Sequence, residues 1–507
     1  MKTVYTIFTS GLFLLFTFLV VSETAVATNQ LEQTDNITYV APNGSDSNPG
    51  TLASPYATIQ HAVNHLEAGD TIYVRSGTYV EVVIVRQSGT AESPITIAAY
   101  PGETPIIDGQ FTLPEQPAYG WGGCNNDVSP PKCFHYSGLV WLRGDYVTFD
   151  GFEIKRSLGR GIDVNVKDGR PTHVSIRNNI VHDLRNSALN ITRADNVQVE
   201  GNEFYHAGEY ATPNRSSSGL SWPVAVAAIE STHITYKNNV IHNNWAEGFS
   251  TGRDSTNIQI IDNIFYDNFA LNIYVHRSHY VYAAHNLVYC TNDPDFRRGG
   301  NPPPGIIVNN ESSFDGSLSV KGVRIVNNLV TGCRQNFALW SQSDDLISDV
   351  LVTHNTFVNA ASNPGATEAI GVSFTAGNYQ NIEFSNNIIS QSTFDLGWSA
   401  GSPGITYRHN LWSETTHASV TGANDMIGTP QFVNSSGALQ PGLVDADWFK
   451  LQSNSPAVDA AVFVGQLDDY FNGERGLFPD IGFHEQPNGI IQLLEEKVFL
   501  PLVSNGS

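Results

Sequence analysis

The sequence predicts an all-β fold, a parallel β-solenoid built from stacked coils of about 23 residues, and three observations carry that expectation. First, one asparagine recurs in the same local setting nine times, as Asn179, Asn202, Asn239, Asn263, Asn286, Asn328, Asn355, Asn387 and Asn410. The separations are 23, 37, 24, 23, 42, 27, 32 and 23, a unit of 23 with extra residues in some copies. Second, apolar residues stand five and three positions before most of these asparagines and two after, for example Val181, Phe204, Ile241, Phe265 and Val288. That alternation describes a strand, a bend and a second strand. Third, helical periodicity is nearly absent after the N-terminal residues.

The elements follow in chain order. Lys2, the apolar run Gly11 to Ser22 and the Ala25-Val26-Ala27 site read as a signal peptide over 1–27, with the mature chain starting near Thr28. Residues 28–36 are a linker, and 37–145 hold an N-terminal cap and the first coils. Within them, Ala57 to Glu67 places Ile59, Val63 and Leu66 on one helical face, a short helix suited to capping the open end of the solenoid. Residues 146–415 carry the asparagine repeats, 416–488 a closing segment and 489–507 a separate tail, read as a device for surface retention.

The asparagine suits the bend because it tolerates left-handed backbone and its amide can bond neighbouring backbone. Nine copies in one register should stack as a buried ladder about 38 Å long at the ordinary strand spacing. A leucine-rich repeat would need a helical half, and a propeller would repeat at about 40 to 50 residues, so neither fits.

Composition narrows the function. The chain has 26 Lys plus Arg against 49 Asp plus Glu, a net charge of −23, which argues against nucleic acid as a partner. No stretch after the leader is apolar enough to span a bilayer, so the expectation is a secreted or cell-surface monomer. Four cysteines in an exported chain allow two disulfides. Cys124 and Cys133 share one loop, while Cys290 and Cys333 become neighbours once the coils are stacked.

The opening, ITYVAPNGSDSNPGTLASPYATIQHAVNHLEAGDTIYVRSGTY followed by SPITIAAYPGETPIIDG, resembles secreted right-handed parallel β-helix proteins of the pectate-lyase-like superfamily. LQSNSPAVDAA and NGERGLFPDIGFHE resemble the closing segment of the same group. The likeness covers roughly residues 37 to 485 and implies a right-handed helix. It also implies an extracellular polysaccharide as partner, and Ca2+ as the cofactor of the calcium-dependent lyases of this fold. Those lyases gather several Asp on adjacent coils beside a Lys or Arg base. This chain has eight Lys, none in the arginine column described next, and its loop aspartates Asp293 and Asp295 are sparse for a calcium cage. No metal ligands are assigned.

Side chains facing outward from successive coils form columns, and two columns are candidates for chemistry. The strands ALNITR, AVAAIE, GFSTGR, NIYVHR and GIIVNN place Leu189, Val226, Phe249, Ile273 and Ile306 inward. Their last positions stack Arg193, Glu230, Arg253, Arg277 and Asn310. This column reads either as a solvated ion-pair ladder or as an anion clamp that grips sugar carboxylates. Tyr274 and His276, with Glu247 and Ser250 on the preceding coil, belong to the same side. The second column, three residues after the ladder, is His182, Tyr205, His242, Tyr266 and Tyr289, read either as cross-strand stacking or as a sugar platform. Insertions of 14 residues after Asn202 and 19 after Asn286 lead into the candidate strands and suit binding walls.

Two mechanisms fit. In a lyase acting on an acidic, uronate-containing polysaccharide, Arg253 or Arg277 neutralises the carboxylate. His276, Tyr274 or an Arg then removes the C5 proton, while a second group protonates the departing O4. In a glycoside hydrolase, two of Glu230, Glu247, Glu209 and Asp254 act as a carboxylate pair. A third reading is a surface carbohydrate-binding or adhesive β-helix without turnover.

Overall fold

The computed structural model describes residues 36–114, 137–165, 169–208, 223–291, 293–311, 319–342, 344–361, 369–392, 395–434, 437 and 440–487. The signal peptide, the linker, Glu209, Cys124, Cys133 and the tail fall outside these residues.

The described chain is a parallel β-helix whose coils contribute in turn to three sheets. A first sheet of 14 strands runs from Ile37–Val40 to Ile405–Arg408. A second of 13 strands runs from Gly77–Tyr79 to Met426–Ile427, and a third of 11 from Val83–Val85 to Asp395–Ser399. The pairing is parallel throughout the named strands, for example Leu189↔Val226 and Phe249↔Ile273 in the third sheet. All five inward residues expected for that strand are fully buried. The core is a column of Val, Ile and Phe in which Phe337, Phe357, Phe374 and Phe384 meet ring against ring.

The nine asparagines line up as expected. Asn286 shows the rule: its Oδ1 accepts the Asn263 backbone N–H at 3.0 Å and the Asn263 amide at 3.1 Å. Its own Nδ2 donates to Ile260 O at 2.8 Å and to Asn328 Oδ1 at 2.9 Å. At one end the Phe152 N–H donates to Asn179 Oδ1 at 3.0 Å. At the other, Asp425 replaces the next asparagine and accepts the Asn410 N–H at 2.9 Å and the Trp412 indole N–H at 2.9 Å. The carboxylate can end the ladder because it needs only to accept.

One expectation about the bend is corrected. The left-handed residue is the one before each rung, namely Asn178, Gly201, Asn238, Asp262, His285, Asn327, His354, Asn386 and His409, with φ between 53° and 68°. Asn, Asp, His and Gly are the residues that tolerate this region best. The rung asparagine is thereby left free to turn its amide into the core.

Thr58 caps a short helix, Ile59–Asn64, whose Ile59 and Val63 are buried with Leu66 against the first strands. Glu81 receives the Ile59 and Gln60 N–H groups at 2.9 and 2.8 Å. After the last coils the chain turns back along the second sheet. Asn327, His354 and Asn386, three of the left-handed bend residues, bond Asp468 O, Asp480 O and Val462 O of this returning segment. Arg475, fully buried within it, pairs with Glu485 at 3.0 Å and donates to Asn327 Oδ1 at 3.0 Å.

Cys290 and Cys333 are joined, as expected from coil stacking, across a sequence separation of 43. Closing a loop of that length stabilises by about 4 kcal/mol. Replacing both cysteines with Ser should therefore lower stability by that amount in a urea titration, with the far-ultraviolet spectrum unchanged at zero denaturant.

Candidate active site

The third sheet presents the cluster richest in chemistry, on the outer face of its central strands Val224–Ile229, Glu247–Gly252, Leu271–His276 and Ile306–Asn310. Strand register places Tyr274 between Ser250 and Ile307, and His276 beside Asn309. The Tyr274 and His276 rings stack with centroids 4.5 Å apart. Tyr274 donates its hydroxyl proton to Glu311 Oε1 at 2.6 Å and receives the Asn309 amide at 2.6 Å. Glu311 Oε2 lies 3.9 Å from His276 Nδ1, a buried atom with no hydrogen-bond partner. The His276 ring leans over Gly252 of the preceding coil, where an added Cβ would come within 3.2 Å of it.

Burial sorts the protons. Desolvation pushes the Glu247 carboxyl up to about 8, against a hydrogen bond from Ser250. The Glu311 carboxylate reinforces the shift and the Arg298 guanidinium opposes it. Glu247 is thus a carboxylic acid at neutral pH. Desolvation, with the Arg277 charge beside it, holds His276 down at about 3, so its imidazole is neutral. Tyr274 is held far above the ordinary phenol value by burial and by Glu311. It therefore acts as a hydrogen-bond donor, and the expectation that it could remove a proton fails.

The arginine column forms, with one correction. Arg193, Glu230, Arg253 and Arg277 do not end their strands but follow them, in left-handed turns with φ between 45° and 52°. Glu230 sits between two arginines, 3.4 Å from Arg193 Nε and 4.0 Å from Arg253 Nη1. Arg193 and Arg253 are exposed, whereas Arg277 is buried. An exposed ladder of this kind is worth little, so Glu230→Gln should change stability by less than about 1 kcal/mol in a denaturant titration. A serine ladder backs the same corner, with Ala194 N donating to Ser231 Oγ and Ser231 N to Ser255 Oγ.

Of the carboxylates expected from sequence to pair, Glu247 meets neither Glu230 nor Asp254, and Glu209 lies outside the described residues. Glu247 is in register with Val224, and Glu230 lies six residues further along, about 20 Å of extended chain. Paired carboxylates work at about 5 to 9.5 Å, which excludes Glu230 with Glu247. Asp254 shares the Glu230 corner and is excluded with it. The partner within electrostatic reach of Glu247 is Glu311.

The aromatic column also forms, His182, Tyr205, His242, Tyr266 and Tyr289 stacking at 4.5 to 5.1 Å. It lies on the second sheet, and its later members are covered. Tyr266 and Tyr289 are buried with Phe449 and Phe483 of the returning segment, and the Tyr289 hydroxyl accepts the Gly442 N–H at 2.8 Å. Tyr266 is therefore packing, not platform. His182 and His242 are engaged by Glu153 and Glu203 at 3.3 and 3.1 Å.

The loop after Cys290 supplies residues the sequence did not single out. Asp293 caps a single turn, Pro294–Phe296, by accepting the Asp295 N–H at 2.9 Å. Phe296 packs on Trp245, 5.5 Å between centroids, and Trp245 on His206 at 5.4 Å. This wall stands next to Glu247 and carries Arg298. Asp293 is thus occupied in holding its own turn, and no group of three or more His, Cys, Asp or Glu among the described residues stands close enough to hold an ion. The described residues do not form the carboxylate-rich calcium cage that the resemblance implied. No helix among them is long and apolar enough to cross a membrane.

Comparison with known proteins agrees with this architecture. The family profile described as "Pel9A-like, right handed beta helix region" matches residues 38–221. Residues 38–221 are similar to a Pel9A-like region, and the fold is a right-handed β-helix. Pectate lyase PEL9 of Emericella nidulans is 48% identical over 82 residues, which is 16% of this chain and 20% of that protein. Pectate lyase L of Dickeya chrysanthemi is 28% identical over 170 residues, 31% of this chain and 34% of that protein. The matches thus span about a third or less of these relatives' own length. The crystal structure of pectate lyase Pel9A superposes with a TM-score of 0.52 at 19% identity, covering 89% of this chain and 97% of that one, a likeness of fold. The Pel9A-like match ends before Glu247, so it leaves the cluster around Tyr274 to be judged on its own geometry.

Proposed function

We propose that this is an exported polysaccharide-active enzyme that cleaves an acidic, uronate-containing polysaccharide by β-elimination on the outer face of the third sheet. The observation that carries the proposal is a protonated acid, Glu247, hydrogen-bonded by Ser250, and a neutral imidazole, His276, stacked on Tyr274, the register neighbour of Ser250. The printed activity of the pectate lyase relatives supports the choice of elimination. Arg277, the cation beside His276, faces the substrate carboxylate and makes the neighbouring C5 proton more acidic. His276 takes that proton, with the Glu311 carboxylate 3.9 Å from Nδ1 stabilising the imidazolium that forms, the C5–H electron pair becomes the C4–C5 double bond, and the C4–O bond breaks. The departing oxygen takes the Glu247 proton. Tyr274 and Asn309 hold the Glu311 carboxylate in place beside His276.

The leader residues support export. The −23 charge does not prevent a local arginine from acting, since screening confines each charge to about 8 Å.

Hydrolysis is the second reading, favoured by the two carboxylates, with Glu247 as acid and Glu311 as its partner. Incubation with polygalacturonate and other uronate polymers separates the outcomes. Elimination gives absorbance near 230 nm from the unsaturated product. New reducing ends without that absorbance indicate hydrolysis, and retention of polymer with neither signal indicates binding alone.

A further inference from the structure

The first sheet carries a groove on the opposite strand set from the candidate active site. It occupies about 210 Å³, and its sides are two rows of side chains from successive coils. One row is Asn196, His233, Asn257 and Tyr280, and the other is Gln198, Thr235, Gln259 and Tyr282, with Ile258 between them as floor. The first row stands in left-handed backbone, φ 51° to 55°, which lifts it as a rim above the buried strand residues. That bend recurs along the sheet, at His173 and Asp349 for instance, so the backbone alone does not mark a site. The side chains do.

Among the described residues, no hydrogen bond within the protein engages the Gln198 and Gln259 amides or the Thr235 hydroxyl. His233 is the one ionisable rim group besides the tyrosines, and Asp195 pairs with it at 2.9 Å. Tyr280 is 54% exposed, and its ring lies over Gly322 of the next coil, where a Cβ would stand 2.7 Å from Cδ1. The next coil thus leaves the ring room to lie flat with a face open. An open ring flanked by uncommitted amides and hydroxyls complements a ligand that is uncharged, rich in vicinal hydroxyls and apolar on one face. The coil spacing of about 4.8 Å is close to the length of one pyranose unit, so successive sugars would meet equivalent rungs.

We infer that this groove binds a neutral polysaccharide chain lying along the solenoid axis, at a site separate from the outer face of the third sheet. The lining residues include no Lys or Arg, which sets the ligand apart from the acidic polymer proposed for that face. The inference stands whether or not that enzymatic reading holds.

The test is titration calorimetry of the full chain with soluble hexasaccharides of β-1,4-linked glucose, mannose and xylose, and with hexagalacturonate. Wild type should bind at least one neutral hexasaccharide, and Tyr280→Ala with Gln259→Ala should weaken that binding by about tenfold or more. Hexagalacturonate binding should be unaffected by the pair. Circular dichroism verifies the fold, and Gln259→Ala alone should give a smaller loss in the same direction. Failure of all neutral oligomers to bind, equal affinity in the variants, or loss of hexagalacturonate binding with the same substitutions would overturn the inference.

Discussion

Asn286→Ala should cost about 4 kcal/mol of folding stability, read as a lower urea midpoint with the slope retained. The change removes an acceptor shared by two donors of Asn263 and two donors that reach Ile260 O and Asn328 Oδ1. All these groups lie inside the helix, where water cannot replace the lost partner, and each orphaned group costs about 1–3 kcal/mol. Asn286→Asp should also destabilise, because Asp lacks the two donors. At the ladder's end Asp425 accepts through both oxygens, from Asn410 at Oδ1 and from the Trp412 indole and the Gly422 N–H at Oδ2, so Asp425→Asn should destabilise as well, by turning an NH2 donor against other donors. Full tolerance of Asn at position 425 would contradict this reading of the ladder.

Glu247→Gln should lower kcat by about 10²- to 10⁴-fold while leaving polymer binding and the circular dichroism spectrum intact. The substitution keeps the shape and removes the transferable proton. In the wild type the alkaline limb of the rate profile follows from the sign of the shift. Burial raises Glu247 to about 8, so the acid is present below that pH and the rate falls as pH rises through it. The same shift bears on stability. A carboxyl whose folded value is raised binds its proton more tightly when folded, so its contribution is fully present below the ordinary value of 4.5 and is lost as pH rises through about 8. The variant should therefore show a flatter stability profile across that window than the wild type.

The fold was legible because a solenoid repeats its instructions. The asparagine register, the inward apolar set from Leu189 to Ile306 and the Cys290–Cys333 contact all follow from counting along equal coils. The site was legible only in part, for three physical reasons. Counting finds residues that share a column, so it found Tyr274, His276 and Glu247 but stopped at Asn310, one residue short of Glu311. Counting gives no distance along a strand unless register is applied, so Glu230 and Glu247 looked like partners although most of a strand separates them. Outward-facing does not mean exposed, because a later segment can return over a sheet. The burial of Tyr266 and Tyr289 under residues near Phe449 and Phe483 is set by contacts 150 residues or more away, which no local pattern records.

The central claim is that Glu247 and His276 cleave a uronate polymer by elimination. The most direct measurement follows absorbance at about 230 nm during digestion of polygalacturonate and related uronate polymers, with reducing ends counted in parallel, for the wild type, Glu247→Gln and His276→Ala. The expected result is absorbance and reducing ends rising together in the wild type on at least one polymer, and both falling by about two orders of magnitude in each variant. Reducing ends without absorbance, or full activity in either variant, would contradict it.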